Sequence, residues 1–395
     1  MHLAGLITGA AGLAIWAYLL LLHGGFWRVW RLQAPILPPR TVHGTLAVVI
    51  PARDEADTIA AAVRSLLEQQ FLKQVHVFVV DDHSSDGTAQ VARQSAQGCD
   101  RQDSLTVITG SALPAGWTGK LWAVQQGIHE ALKLNPQFLL LTDADIVHPP
   151  DNVATLVSIA QSGNYDLASF MVKLHCRSFG ERLLIPPFVF FFLLLFPPNW
   201  IRDPKRSTAG AAGGCMLIRP AALERAGGTA SIRSEIIDDC ALARVVKRSG
   251  GRVWLGLTRT TRSDRAYGSF VEIERMIART AFNQLRHSAL LLIGAILGLI
   301  VTYFVPLLLV FSGNKPLAAL GLVSWLLMAV AYLPMVRFYE LNPLWSLTLP
   351  FGACFYLAAT MDSALKFWAG RGGEWKGRAQ DTVSSDLTSP SSRQV

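Results

Sequence analysis

Phe138-Leu139-Leu140-Leu141-Thr142-Asp143-Ala144-Asp145 is the stretch on which the fold of this chain turns. An uncharged run of strand length ends in two carboxylates one residue apart. Alternation along a strand turns Asp143 and Asp145 to the same side. Two anions so placed repel unless a cation lies between them. A hard divalent metal on carboxylate oxygens, one that also grips a diphosphate, is the natural occupant. A solvated turn after a buried strand is the alternative that this stretch alone leaves open.

Upstream, short apolar runs alternate with helical patterns. Leu46–Ile50 reads as a strand followed by Pro51-Ala52-Arg53-Asp54-Glu55, and 57–70 as an amphipathic helix with Ile59, Val63, Leu66 and Leu67 on one face. Val75–Val80 is a second strand, stopped by Asp81-Asp82-His83-Ser84-Ser85-Asp86-Gly87 before a helix over Thr88–Gln97. A strand at Leu105–Thr109, a helix at Trp122–Leu134, a helix over 152–161 and a strand over 165–172 complete the alternation. The pattern predicts a parallel α/β sheet covered on both faces. Ligands of such sheets sit at the carboxyl ends of the strands, where Pro51, Asp81, Asp82, Asp143 and Asp145 all fall. Thr88 or Asp86 suffices to cap the following helix. The adjacent acids Asp81 and Asp82 exceed that need and can accept hydrogen bonds from a nucleoside ring or ribose hydroxyls. The glycine spacing is not G-x-G-x-x-G, which disfavours a dinucleotide fold.

The 395 residues are 51% hydrophobic, with a mean hydropathy of +0.33, and the excess is confined to blocks. Segments 289–312, 317–336 and 344–365 are long enough to cross a hydrocarbon core of about 30 Å as helices. Segment 3–22 is a fourth candidate; without a basic n-region or a small-residue cleavage site it reads as an anchor rather than a removable signal. Arg28, Arg31 and Arg40 follow it and put the next domain in the cytoplasm. Segment 183–198, bracketed by proline pairs and flanked by Arg182, Arg202 and Lys205, reads as interfacial or re-entrant, with a buried core helix as the alternative. The expected organisation is an anchor over 1–24, a linker over 25–44, an α/β domain over 45–286 with an interfacial segment at 183–201, transmembrane helices over 287–368 and a polar, disordered tail over 369–395. The expected location is the inner, cytoplasmic membrane. Cys99, Cys176, Cys215, Cys240 and Cys354 form no CxxC pair and read as reduced thiols. The net charge of +8 suits headgroups and phosphorylated substrates, and no arginine-rich helix supports nucleic-acid binding.

Ile50-Pro-Ala-Arg-Asp-Glu55, Val79-Val-Asp-Asp-His-Ser-Ser-Asp-Gly-Thr88 and Thr142-Asp-Ala-Asp145, in that order, resemble a family 2 glycosyltransferase. The resemblance covers roughly 45–286 and implies the GT-A nucleotide-diphospho-sugar transferase fold with a mostly parallel sheet. Pro114-Ala-Gly-Trp-Thr-Gly-Lys120, Gly213-Gly-Cys-Met-Leu-Ile-Arg219 and the C-terminal apolar helices resemble, more narrowly, the hopene-associated glycosyltransferases and, more distantly, carotenoid glycosyltransferases. The implied reaction is inverting transfer of one sugar from a nucleotide-diphosphate sugar, UDP-linked, to a lipid hydroxyl, with a hopanoid or related polyisoprenoid as acceptor; a polyprenyl phosphate is the alternative.

The resemblance also implies roles. Pro51, Glu55, Asp81 and Asp82 would line the nucleoside site, and Lys120 would lie near the phosphates, unless it is a solvated lysine after a glycine turn. Asp143 and, above all, Asp145 would hold Mg2+ or Mn2+. Glu235-Ile-Ile-Asp238-Asp239-Cys-Ala-Leu242 is similar to the family's Glu-Asp-x-x-Leu element, with Asp238 in place of Glu. Asp239 then takes the place of the general base that an attacking hydroxyl requires; both acids also suit the first turn of a helix. Processive members carry Gln-x-x-Arg-Trp on an interfacial helix. Here Arg275 and Arg279 share a helix face but no Trp follows Arg279, which argues for a single transfer. His83, His129, His148 and His175 have no metal spacing and read as structural, and buried packing is the commoner fate of Trp117 and Trp254. A sugar nucleotidyltransferase is disfavoured by the absence of a glycine-rich phosphate loop, and a non-catalytic nucleotide-sugar sensor is a further rival. Three C-terminal spans would put the tail outside, whereas Lys366, Arg371, Lys376 and Arg378 argue for inside.

Overall fold

The computed structural model describes residues 2–33, 42–70 and 72–370, together with the backbone of 374–375 and 378–379. Arg40 and nearly all of the expected tail lie outside the described residues. The chain opens with α1 (His2–Leu21), an apolar helix without a charged residue. The next stretch, expected as a linker, is packed: Phe26 and, in α2 (Val29–Leu32), Val29 and Leu32 are buried.

The α/β domain then runs β1 (Val42–Ala52), α3 (Ile59–Leu67), β2 (Leu72–Asp81), α4 (Thr88–Gln97), β3 (Leu105–Thr109), α5 (Gly119–Leu132), β4 (Phe138–Thr142), β5 (Ile146–Val147), α6 (Asn152–Ser162) and β6 (Leu167–Lys173). It continues with α7 (Phe179–Leu195), α8 (Pro198–Arg202), β7 (Cys215–Ile218), α9 (Pro220–Arg225), α10 (Asp238–Arg248), β8 (Val253–Ser263) and α11 (Phe270–Gln284). The eight strands form one sheet in the order β3-β2-β1-β4-β7-β6-β8-β5. β3, β2, β1 and β4 are parallel, with Val49 between Phe78 and Leu141. β7 is antiparallel to both neighbours, β6 and β8 are parallel, and β5 closes the edge antiparallel to β8. This is the mostly parallel GT-A-like sheet expected from the motifs.

Strand alternation divides the core in two. Leu46, Val48, Ile50, Val77, Val79 and Leu140 face one way and pack with residues of α3, α4 and α6. Ala47, Val49, Leu139 and Leu141 face the other way, toward α5 and α10, in a core that also contains Trp16, Ile185, Phe190, Tyr332 and Met335 from apolar helices outside the sheet. α5 can lie this close to β1 because residue 127 is glycine; a Cβ there would collide with Val49. The helix expected to begin at Trp122 begins at Gly119, because the Thr118 hydroxyl accepts from the Leu121 N–H. Lys120 is thereby a first-turn helical residue, not part of a preceding glycine turn.

The C-terminal segment runs α12 (Ala289–Leu299), a π-helical turn (Ile300–Phe304), α13 (Val305–Val310), α14 (Lys315–Phe338), a 3-10 stretch (Pro343–Thr348) and α15 (Leu349–Trp368); β9 (Glu374–Trp375) and β10 (Arg378–Ala379) form a two-stranded pairing. The π turn presents the Thr302 carbonyl to the Trp16 indole at 2.9 Å. Among the described residues, five helical segments are long and apolar enough to cross a membrane: His2–Leu21, Phe179–Arg202, Ala289–Val310, Lys315–Phe338 and Pro343–Trp368. Gly5 and Gly9 of α1 pack against Leu317, Leu309 and Leu320, close contact of the kind small residues permit between apolar helices. At one end of this bundle His2 lies 3.5 Å from Asn314. At the other end α14 meets the α/β domain, where Glu340 pairs with Lys173 at 3.3 Å.

Candidate active site

β4 stops at Thr142. A turn closed by the Ile146 N–H on the Asp143 carbonyl then carries Asp143 and Asp145. Their placement therefore comes from this turn rather than from strand alternation, yet the two remain near enough to repel. Burial, then Asp143, lifts the Asp145 carboxyl above its ordinary value, against the pull of Arg265 and Ser263. Ser263, at the end of β8, donates to Asp145 Oδ2, and the Asp264 N–H donates to the Asp145 carbonyl at 3.0 Å.

Lys120 links the two halves of the site. Its Nζ lies 2.9 Å from Asp143 Oδ1 and 3.3 Å from Asp238 Oδ2. Burial disfavours the ammonium, but Asp143 and Asp238 outweigh it and hold the lysine above its ordinary value. Burial also works against the Asp143 carboxylate; Lys120, with Arg279 and Arg265 at longer range, keeps it below its ordinary value.

Asp238 and Asp239 open α10, where their charge complements the helix dipole. Asp239 Oδ2 accepts from the Gly213 N–H at 2.8 Å and Oδ1 from the Cys240 N–H at 2.6 Å. Burial, then Asp238, pushes the Asp239 carboxyl up to about 6, against Lys120 and the two N–H donors. An open cleft of about 340 Å³ joins these elements, lined by Pro51, Lys120, Asp143, Gly213 and Asp238 with apolar Leu141, Met216 and Leu242 beneath.

Glu55, Asp81 and Asp82 occupy the neighbouring strand ends. Asp82 is buried, with Arg53 Nη1 at 3.4 Å from its carboxylate. Asp81 accepts from the Ser84 N–H. Asp86 does not cap through a side-chain bond to the second or third helical residue: it accepts from the Thr88 and Ala56 N–H groups and ties the loops after β1 and β2 together.

Arg265 is the residue that the sequence reading passed over. Its Nη2 lies 2.5 Å from both Glu55 oxygens and its Nε 3.6 Å from Asp145 Oδ2. An arginine two residues past a strand, in a run with no further glycine-acid pattern, gave no local signal. His148 is structural as expected, buried between Thr142 and Asn152, and burial lowers it to about 3. Trp254 is buried, and Trp117 packs edge-on against Trp122.

Among the described residues, no group of three or more His, Cys, Asp or Glu side chains converges as a self-sufficient metal site. Asp143 and Asp145 are nonetheless a hard-oxygen pair of the kind that binds a divalent cation together with substrate phosphates.

The mostly parallel sheet gathers five carboxylates, Glu55, Asp81, Asp82, Asp143 and Asp145, at its strand ends beside the acidic start of α10, and residues 43–283 match the family described as Glycosyltransferase like family 2. The chain belongs to that family. Over 117 residues it is 34% identical to a 4,4'-diaponeurosporenoate glycosyltransferase of Staphylococcus aureus, strain bovine RF122 / ET3-1; that match spans 29% of this chain and 28% of the relative. The same protein from strain USA300 matches to the same extent. Among solved structures, the mannosyltransferase of Pyrobaculum calidifontis, in complex with GDP-Man and Mn2+, shares the fold with a TM-score of 0.58 at 19% identity, over 91% of this chain and 98% of that one.

Proposed function

We propose that this protein is a membrane-bound, inverting, metal-dependent glycosyltransferase that moves one sugar from a UDP-linked donor to a lipid hydroxyl, a hopanoid or related polyisoprenoid. The observation that carries this reading is the Lys120 bridge between Asp143 at the end of β4 and Asp238 at the start of α10. It puts the acids suited to a donor diphosphate and the acids suited to an acceptor in one cleft.

In this reading Glu55, Asp81 and Asp82 take the nucleoside, Pro51 lines its pocket and Lys120 serves the phosphates. Asp145 and Asp143 would hold Mg2+ or Mn2+, which supplies charge neutralisation for the departing diphosphate. Asp239, held by the Gly213 and Cys240 N–H groups, removes the acceptor proton. A carboxyl lifted by its surroundings is a better base than an exposed one. The lipid-related relative and the sharing of one core by the sheet and the apolar helices both support an acceptor delivered from the bilayer.

The same geometry supports a topology in which α1, α12–α13 and α14 cross. α7 joins β6 to the β7 side of one sheet, and Lys120 contacts acids that precede and follow it, so it returns to the side it left. α15 runs in the same direction as the charged amphipathic α11, with Phe355 beside Phe270, Lys366 3.7 Å from Glu274 and Phe367 beside Phe282. Both α7 and α15 then lie against the cytoplasmic face, and the tail stays inside with its basic residues.

The test is transfer by the purified full chain of labelled sugar from a UDP-sugar to a polyisoprenoid alcohol in the presence of Mn2+, alongside mass spectrometry of lipids from a deletion strain. A lipid lacking one hexose in that strain supports the reading. Failure of the protein to bind any UDP-sugar with Mn2+ present would sink it.

A further inference from the structure

Among the described residues, the site carboxylates Glu55, Asp143, Asp145, Asp238 and Asp239 face the cations Lys120 and Arg265. Lys120 has an assigned task and Arg265 does not. Resting on the function proposed above, we propose that Arg265 is an exchangeable counter-ion: without donor it screens Glu55 and Asp145, and when a divalent cation takes Asp145 it turns to the donor's diphosphate.

Three observations carry this. First, the Arg265 hold on Asp145 is loose. At 3.6 Å its Nε is in charge contact with Oδ2 but beyond hydrogen-bond range, and Ser263 already donates to that same oxygen. A guanidinium so placed offsets charge without completing the geometry of the carboxylate, which is what a removable ion does.

Second, Arg265 is a third exposed and spends one nitrogen, Nη2, on both Glu55 oxygens. Among the described residues its guanidinium hydrogen bonds both leave from Nη2, so part of the planar fork remains available for phosphate oxygens, the partner it fits best.

Third, the backbone that carries it is pinned on both sides. The Asp264 N–H donates to the Asp145 carbonyl at 3.0 Å, and the Tyr267 N–H donates to Glu181 Oε1 at 2.9 Å. Glu181 is itself buried and also accepts from the N–H groups of Arg177 and Ser178 and pairs with His175. The side chain can therefore swing between carboxylate and phosphate without moving the loop.

The competing role is a fixed staple between the end of β8 and the loop after β1. The two differ in what a neutral side chain does to cation affinity. The experiment measures free Mn2+ by electron paramagnetic resonance over the full chain in detergent, for wild type, Arg265→Gln and Arg265→Lys, with the metal alone and then with UDP or GDP in parallel arms. A counter-ion role requires Mn2+ alone to bind Arg265→Gln more tightly than wild type, by about fivefold for a partly exposed pair. It requires the nucleoside diphosphate at saturating Mn2+ to bind the same variant about tenfold more weakly, with Arg265→Lys in between. Unchanged or weaker Mn2+ binding to Arg265→Gln, with or without a lowered melting temperature, overturns the proposal and leaves the staple. Equal binding by all three proteins overturns this inference alone. Absence of Mn2+ binding to wild type even with nucleotide present overturns the metal reading and this inference with it.

Discussion

At the scale of single residues, Asp239 is where function is most exposed to test. If it is the base, Asp239→Asn lowers transfer to an alcohol by about 10²–10⁴-fold. A phosphate acceptor is already anionic, so its glycosylation survives the same change; rates on a polyisoprenoid alcohol and a polyprenyl phosphate separate the two acceptors. The pH profile follows from the same group. The carboxyl titrates at about 6, and only its ionised form accepts a proton, so kcat on an alcohol falls as pH drops through about 6 and levels above it. A profile flat from pH 5 to pH 8, measured on the alcohol, counts against Asp239. Lys120→Met removes the cation between Asp143 and Asp238 and is expected to raise the donor KM, measured at saturating acceptor. Asp143, Asp145, Asp238 and Asp239 were legible because acids at a strand end or a helix start carry local meaning. Arg265 was not, because its role arises from a pairing across 210 residues of sequence.

At the scale of elements, caps and alternation were readable and boundaries less so. β3, β4 and α4 lie where their patterns put them, since turns or polar residues close both ends. α5 starts three residues early because Thr118, an unremarkable residue before a glycine, supplies its N-cap. The helix start that brings Lys120 to Asp143 is thus set by one hydroxyl. α7 offers a sharper test. It begins with a capping box, Ser178 with Glu181, and Glu181 accepts from three backbone N–H groups, one of them in the loop that carries Arg265. Glu181→Gln replaces one acceptor oxygen with a donor that, in either orientation of the amide, faces at least one backbone N–H. Unpaired buried polar groups cost about 1–3 kcal/mol each, so the variant should melt several degrees lower in detergent. Glu181→Asp, too short to reach all partners, is expected to recover only part of the loss.

At the scale of the whole molecule, hydropathy identified the five apolar segments but not which of them cross, because crossing depends on neighbours that no local window contains. The proposed topology predicts that a cytoplasm-active reporter fused at the C-terminus is active and that a periplasm-active one is silent; the opposite result would put α15 across the bilayer. The face of the sheet that holds Val49 and Leu141 is completed by Trp16 and Phe26 from the beginning of the chain and by Tyr332 and Met335 from near its end. Tyr332 and Met335 follow the whole α/β domain in sequence, so the sheet waits with one side unfinished until they have been made. Long-range closure of this kind is slow and exposed to aggregation. The α/β domain is therefore not a detachable enzyme on a tether: residues 42–288 expressed alone should collect as insoluble protein, and maturation of the whole chain should depend on helix insertion having already occurred.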